Sequence, residues 1–289
     1  MLAKSANLGL AENSKSNYRT AARHIQRCAE YTGIDMSLPF TIEKTLNYVG
    51  YLPSVRKVSH GTVDQYLSGV RMMHLCQNLD ISSLRPPIVA LILKGQQHWE
   101  NIQNTINNKP KRIAVTLNIM KFIKRKLFEL NWHVEKKLRV WAVCTLLWNG
   151  SLRVHEILSK EKGQFDPQTT CLAENLSIKK VMLDGIRRDV IQLHIKSPKE
   201  QRIGTDVQLE IFGNETFLCP VKALGKWLNK TRDLEKSCPV FRDSEGLCYT
   251  GAEFNKDLSE ITCQLTEGTS GLIKPHSFRS GIATEMAQI

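Results

Sequence analysis

The sequence predicts a mainly α protein with a small antiparallel β-sheet, built as a helical domain followed by a mixed α+β domain. Three observations predict it. Apolar residues recur at helical spacing over most of residues 14–103. A polar, basic, proline-broken stretch, "NNKPKR" from Asn107 to Arg112, interrupts that pattern. Beyond residue 175 the apolar period changes to two, and helical spacing then returns. The expected organisation is a helical domain over residues 1–106, a linker over 107–112 and a second domain over 113–289.

Each element follows from local chemistry. In "SKSNYRTAARHIQRCAEYTG", Tyr18, Ala22, Ile25 and Ala29 share a face and Gly33 supplies a stop. "TIEKTLNYVGYL" carries Ile42, Leu46 and Val49 on one face. "TVDQYLSGVRMMHLCQNL" places Val63, Tyr66, Val70 and Leu75 at near-helical spacing. "PPIVALILKGQQHWENIQ" opens on prolines, and Pro87 suits a helix N-terminus. Short polar links make this a bundle of four or five helices. Past the linker, "TLNIMKFIKRKLFEL" and "KKLRVWAVCTLLWNG" are helical, the second ending at Gly150, a C-cap or turn glycine. "LSIKKVML" is a weaker strand that runs into Asp184-Gly185, a hairpin turn signal. "VIQLHIK" and "TDVQLEI" alternate around "SPKEQRIG", a hairpin with a long basic tip. "CPVKALGKWLNK" and "TGAEFNKDLSEITCQL" return to helix, and no internal repeat is present.

The 289 residues suit one large or two modest domains. A hydrophobic share of 42% is enough for a core, and 24% charged residues is ordinary for a soluble globular chain. The net charge of +12 points to a polyanionic partner, nucleic acid above all, against the plainer reading of an inert basic surface. None of the eight cysteines is spaced as CxxC, so no zinc site is expected; they read as reduced, mostly buried thiols of an intracellular protein. The N-terminus has no continuous apolar segment of a secretory signal, and no apolar run approaches membrane-spanning length.

Charge is concentrated between Lys109 and Arg139, where ten Lys/Arg stand against Glu129 and Glu135, a net +8. This is either a solvated helix face or a clamp on duplex phosphates; as a clamp it assigns DNA contacts to Lys109, Lys111, Arg112, Lys121 and Arg125. In "WNGSLRVHEIL", Arg153 lies among apolar neighbours and needs a carboxylate or phosphate partner, and Glu156 one turn on can be that partner. In "KPHSFRSGIATEMAQI", His276 and Arg279 are three apart behind Pro275, so on a helix they share a face near its N-terminal end, where the dipole favours an anion. His155 and His194 read as ordinary helix and strand positions.

This order of motifs resembles the tyrosine recombinase, or phage-integrase-like, family over essentially the whole chain. The N-terminal helices look like that family's core-binding domain, and residues from about 110 like its catalytic domain. "GSLRVHEIL" is similar to the segment of the first catalytic arginine, giving Arg153, and "HSFRSGIAT" to the His-x-x-Arg box, giving His276 and Arg279. The resemblance implies a catalytic lysine at the hairpin tip; Lys196 and Lys199 are the candidates, and Lys199 is preferred because "SPKE" is similar to the family's Ser-Lys-Thr with a proline inserted and Lys199 lies at a more typical distance from the returning strand, Val207 to Ile211. "FLCPVKAL" and "VFRDSEGLCYTGAEF" look like recombinases of eukaryotic mobile elements of the Crypton or DIRS-like kind.

What the resemblance implies is attack by a tyrosine on a DNA phosphodiester and a 3′-phosphotyrosyl intermediate, with two guanidiniums on the phosphate oxygens and no metal or other cofactor. It implies double-stranded DNA as partner, a homo-oligomer that is a synaptic tetramer on DNA, no membrane, and the nucleus as location (the cytoplasm for a prokaryotic source). A type IB topoisomerase shares the chemistry, but the small helical N-terminal domain favours the recombinase. The tyrosines are Tyr18, Tyr31, Tyr48, Tyr51, Tyr66 and Tyr249, and none follows Arg279. The expectation is therefore a chain cut before its nucleophile, or a decayed element copy, with a DNA-binding protein devoid of catalysis as the alternative.

Overall fold

The computed structural model describes residues 12–106, 112–163, 165–167, 170–196, 206–231, 235–263, 265 and 273–287. The chain divides into two compact units, Met1–Lys109 and Pro110–Ile289.

Among the described residues the first unit contains four α-helices: α1 (Glu12–Thr32), α2 (Ile42–Arg56), α3 (His60–Cys76) and α4 (Pro87–Ile106). Helix α1 stops at Gly33, whose φ of 69° is the left-handed C-terminal conformation that glycine adopts without strain. The core gathers around Cys28, Tyr48, Leu52, Val63, Leu67 and Val70. Two face assignments change. Ile42 and Leu75 are half exposed, because true i, i+3, i+4, i+7 spacing puts Thr45, Tyr48, Val49 and Leu52 inward on α2 and Val63, Leu67, Val70 and His74 inward on α3. His74 is buried at no cost in charge: its Nε2 accepts from the Phe40 N–H at 2.8 Å and its Nδ1–H donates to the Val70 carbonyl at 2.9 Å, which fixes a neutral ring. Helix α2 also runs past Leu52 through Pro53 to Arg56 and closes on Lys57 in the left-handed conformation (φ 55°).

In the second unit come α5 (Leu117–Glu129), α6 (Val134–Asn149), α7 (Val154–Ile157), β1 (Leu176–Leu183), β2 (Ile186–Ile195), β3 (Val207–Phe212), α8 (Pro220–Lys230), α9 (Gly251–Thr262) and α10 (His276–Met286). The sheet is antiparallel in the order β1-β2-β3. Asp184 (φ 50°) and Gly185 (φ 75°) join β1 to β2 in a two-residue turn with Leu183 opposite Ile186, as that dipeptide predicts. β3 pairs with Val190–Ile195, so among the described residues the end of the β1–β2 hairpin has no third strand.

Helix α6 is the rod of this unit. Every residue from Arg139 to Leu147 is buried, and α8 and α10 pack on it. An all-round buried helix must place its polar groups carefully. Arg139 donates to the Arg242 carbonyl at 2.6 Å and lies 4.1 Å above the Tyr249 ring. The Tyr249 hydroxyl donates to Asp257 at 2.7 Å, and Lys136 pairs with the same carboxylate at 2.8 Å. Arg139 therefore drops out of the basic surface stripe: it is an internal cation fixed by a carbonyl and a ring face.

Residues 158–162 run beside the start of α9. Ser159 and Thr250 form a parallel bridge, and the Cys248 N–H donates to the Lys162 carbonyl at 3.2 Å. Lys162 spans Asp243 at 3.1 Å and Glu253 at 3.2 Å. Partial burial opposes ionisation of both carboxyls, but the Lys162 ammonium and backbone N–H donors outweigh it and hold both below the usual carboxylate range. Carboxyls so depressed stabilise the fold above their unfolded values of about 4, and that stabilisation is lost as pH falls through the folded values. Lys162→Met is expected to lower Tm by about 2 °C at pH 7 and to have no effect at pH 2. A loss of equal size at both pH values, measured by thermal unfolding, would assign the effect to packing instead.

Candidate active site

The site begins at the end of α6. Gly150 is tightly enclosed: a Cβ there would lie 2.7 Å from Ile211 of β3 and 2.9 Å from the Leu146 carbonyl. Its φ of −88° is open to any residue, so close approach of the sheet, and not backbone freedom, is what demands glycine. Asn149 fastens the same turn by donating to the Leu218 carbonyl at 3.1 Å. The chain reverses through Ser151 (φ 49°) and delivers Arg153 as the N-cap of the single-turn α7. Glu156 grips Arg153 twice, accepting from its backbone N–H at 2.7 Å and from its guanidinium at 3.2 Å. The Arg153 side chain keeps about a quarter of its surface open (27%). The expected Arg153–Glu156 pair is thus formed, and it orients the arginine.

Helix α10 carries the other two positions. Its inner face is Ser277, Phe278 and Gly281, all buried, with Phe278 packed 6.1 Å from the Phe254 ring. His276 is exposed and Arg279 half-buried on the outer side. One residue before α5 ties two helices together: the Val115 N–H donates to the Ser277 carbonyl of α10 at 2.9 Å, and the Val115 carbonyl accepts from the Trp148 indole of α6 at 2.9 Å. Glu285 reinforces the tie by accepting from the Leu117 N–H at 2.9 Å. Gly281 makes it possible, since a Cβ there would sit 2.0 Å from the Val115 oxygen. The end of α6, five residues before Arg153, and the start of α10, with His276 and Arg279, thus hang from the same residue.

Arg279 forms no ion pair or hydrogen bond with any described residue, and neither does the His276 ring. A half-buried guanidinium without a protein acceptor is poorly served in a folded chain and is suited to an external anion. Lys199 lies outside the described residues, as do Lys109 and Lys111. Lys196 is engaged at the end of β2, 3.2 Å from Glu174 and 3.3 Å from the Pro167 carbonyl. Of the remaining expected DNA contacts, Arg112, Lys121 and Arg125 are exposed; Arg125 leans towards Glu129 at 3.8 Å, and Lys121 borders a shallow depression with Lys124, Phe128 and Phe217.

No family model matches the chain, and no curated protein matches it in sequence. Among solved structures it is similar to the XerH site-specific recombinase bound to palindromic difH substrate in a post-cleavage complex, with a TM-score of 0.56 at 12% identity over 92% of this chain. It is similar also to XerH bound to difH substrate in a pre-cleavage complex, with a TM-score of 0.54 at 12% identity over 90% of this chain. The fold is that of the tyrosine recombinases. The chain spans 65% and 64% of the length of those two structures' chains, and at this identity the likeness is one of fold. The expected fold class, mainly α with a small antiparallel sheet, is what the structure has.

Two parts of the site escaped sequence reasoning. Val115 carries no chemical signal, because it acts through its backbone; a lone glycine inside a helical pattern, Gly281, was the available pointer to close packing. The grip of Glu174 on Lys196 joins residues 22 apart, and no spacing rule reaches that far.

An alanine in place of an exposed helix glycine ordinarily stabilises by ~0.5–1 kcal/mol. At Gly281 the sign should reverse: Gly281→Ala is expected to destabilise by roughly 1–3 kcal/mol, because α10 or Val115 must give way. A Tm unchanged or raised would refute the close approach.

Proposed function

We propose that this chain is the DNA-binding and phosphate-positioning part of a site-specific DNA recombinase acting through a 3′-phosphotyrosyl intermediate. The single observation that carries the reading is Arg279, a half-buried guanidinium without a described acceptor, on a helix held to the same residue as the chain that leads to Arg153. The recombinase fold supports it, as does the net charge of +12. On this reading the chain is a tyrosine recombinase in which residues 1–106 grip duplex DNA and residues 113–289 hold the phosphodiester. Its derivation from a eukaryotic mobile element, nuclear location and assembly as a synaptic tetramer belong to the same proposal.

The chemistry follows from the residue types. Arg153 and Arg279 each offer paired N–H donors to the non-bridging oxygens, where charge builds in the transition state. His276 adds a donor to the phosphate or takes up the proton of the attacking hydroxyl. Lys199 protonates the departing 5′-oxygen; the engagement of Lys196 with Glu174 and Pro167 supports that choice. Tyr249 is unsuited as nucleophile. It is buried, its hydroxyl is committed to Asp257, and burial with that carboxylate holds it well above the ordinary tyrosine value. The second reading, a DNA-binding protein of the same origin without catalysis, is favoured by that observation alone.

One experiment separates the two. In a nicked duplex whose 3′ end carries p-nitrophenyl phosphate, the nitrophenyl group stands in for the tyrosine. The neighbouring 5′-hydroxyl can attack phosphorus, the P–O(aryl) bond breaks, and nitrophenolate leaves with no tyrosine needed. The chain is expected to join the strands and release nitrophenolate, and Arg153→Ala or Arg279→Ala to slow this about 10²–10³-fold. Tight duplex binding without release would leave the non-catalytic reading standing. On a nicked substrate with an ordinary phosphodiester the chain is expected to form no covalent adduct; a protease-sensitive shifted band on a denaturing gel would refute this account of Tyr249.

A further inference from the structure

We propose that the free end of the β1–β2 hairpin is a second duplex-DNA contact, a two-stranded ribbon that enters the major groove. The proposal rests on the reading that the chain binds duplex DNA, and it names a surface which that reading does not use. Beyond Val190 the ribbon has no third strand among the described residues, so about four residue pairs, roughly 13 Å, project past β3. An isolated two-stranded ribbon is barely stable in water. This one nevertheless exposes Met182 (67%), Ile186 (56%) and Leu183 (40%) at its tip.

The same ribbon carries Lys179, Lys180, Arg187 and Arg188, all exposed. None of the four makes an ion pair or side-chain hydrogen bond with any described residue, although Asp189 stands directly across from Lys180. Register places Met182 opposite Arg187 on one face and Val181 opposite Arg188 on the other. Each face therefore pairs an apolar side chain with a cation. Unpaired cations flanking an apolar tip complement phosphates on either side of base edges, where thymine methyls offer apolar contact. Strands about 4.8 Å apart fit within a groove about 12 Å wide. A purely apolar tip would suit a protein partner; four unpaired cations favour the polyanion. Lys196 lies at the opposite end of β2, ten residues or roughly 33 Å of strand away, so this contact is separate from the hairpin end that Lys196 begins.

The test is a titration of a duplex with the full chain at increasing KCl. The variant K179Q/K180Q/R187Q/R188Q is expected to bind roughly tenfold more weakly at physiological salt, with the slope of log K against log[salt] reduced by up to about 3.6, near 0.9 for each phosphate contact. Met182→Ser with Ile186→Ser is expected to weaken binding about fivefold without changing the slope, as loss of groove contact should. Ile186→p-benzoylphenylalanine is expected to crosslink to DNA on irradiation. These positions are exposed, and unchanged circular dichroism checks that the variants fold. If the parent chain binds DNA but the quadruple variant keeps its affinity and slope, the hairpin proposal fails alone. If the parent chain does not bind, the DNA-binding reading fails with it.

Discussion

Helix α10 reaches the core only because Gly281 has no side chain. Its backbone lies so close to the Val115 carbonyl that even a methyl group would collide. Val115 then uses both halves of its peptide chemistry, giving its N–H to Ser277 and its oxygen to Trp148. Three stretches far apart in sequence are thereby held at one place. The bonds are neutral and the contact is van der Waals, which matters for what they position. Arg153 and Arg279 cannot be brought together by mutual attraction, since like charges repel. A scaffold of uncharged hydrogen bonds and packed aromatic rings instead fixes the elements that carry them.

The interior of the second unit handles charge in the opposite way. Arg139, Lys136 and Asp257 sit around Tyr249, and each charge finds a carbonyl, a carboxylate or a ring face inside the protein. That network fastens α6 to α9 and to the segment around Arg242, with the buried Arg139 Nε left without a hydrogen-bond partner. The contrast with Arg279 is the most informative feature of the charge distribution. Arg139 is buried and finds its acceptor inside the fold, whereas Arg279 is partly exposed and has none among the described residues.

Much of the fold was legible in the sequence because short-range rules governed it. Gly33 ended α1, Asp184-Gly185 made the two-residue turn, and period-two alternation marked β2 and β3. Face assignments failed where a polar residue took an inward position: His74 displaced Leu75, because two local backbone groups satisfied its ring. Arg139 was read as surface charge because sequence counts cations without seeing their partners, although its apolar neighbours in "LRVWAVCTLL" carried a warning. Of the site, Arg153 with Glu156 and the shared face of His276 and Arg279 followed from spacing. The tie through Val115 did not, since it is made by backbone atoms and depends on a side chain that is missing.

The enclosure of Gly281 also bears on how descendants of this sequence would diverge. Any copy that replaces the glycine must shift α10 or Val115 and lose stability, whether or not its chemistry is in use. Arg279 is under no such obligation, since no described residue depends on it. The fold therefore tolerates substitution at Arg279 and resists it at Gly281, two positions on.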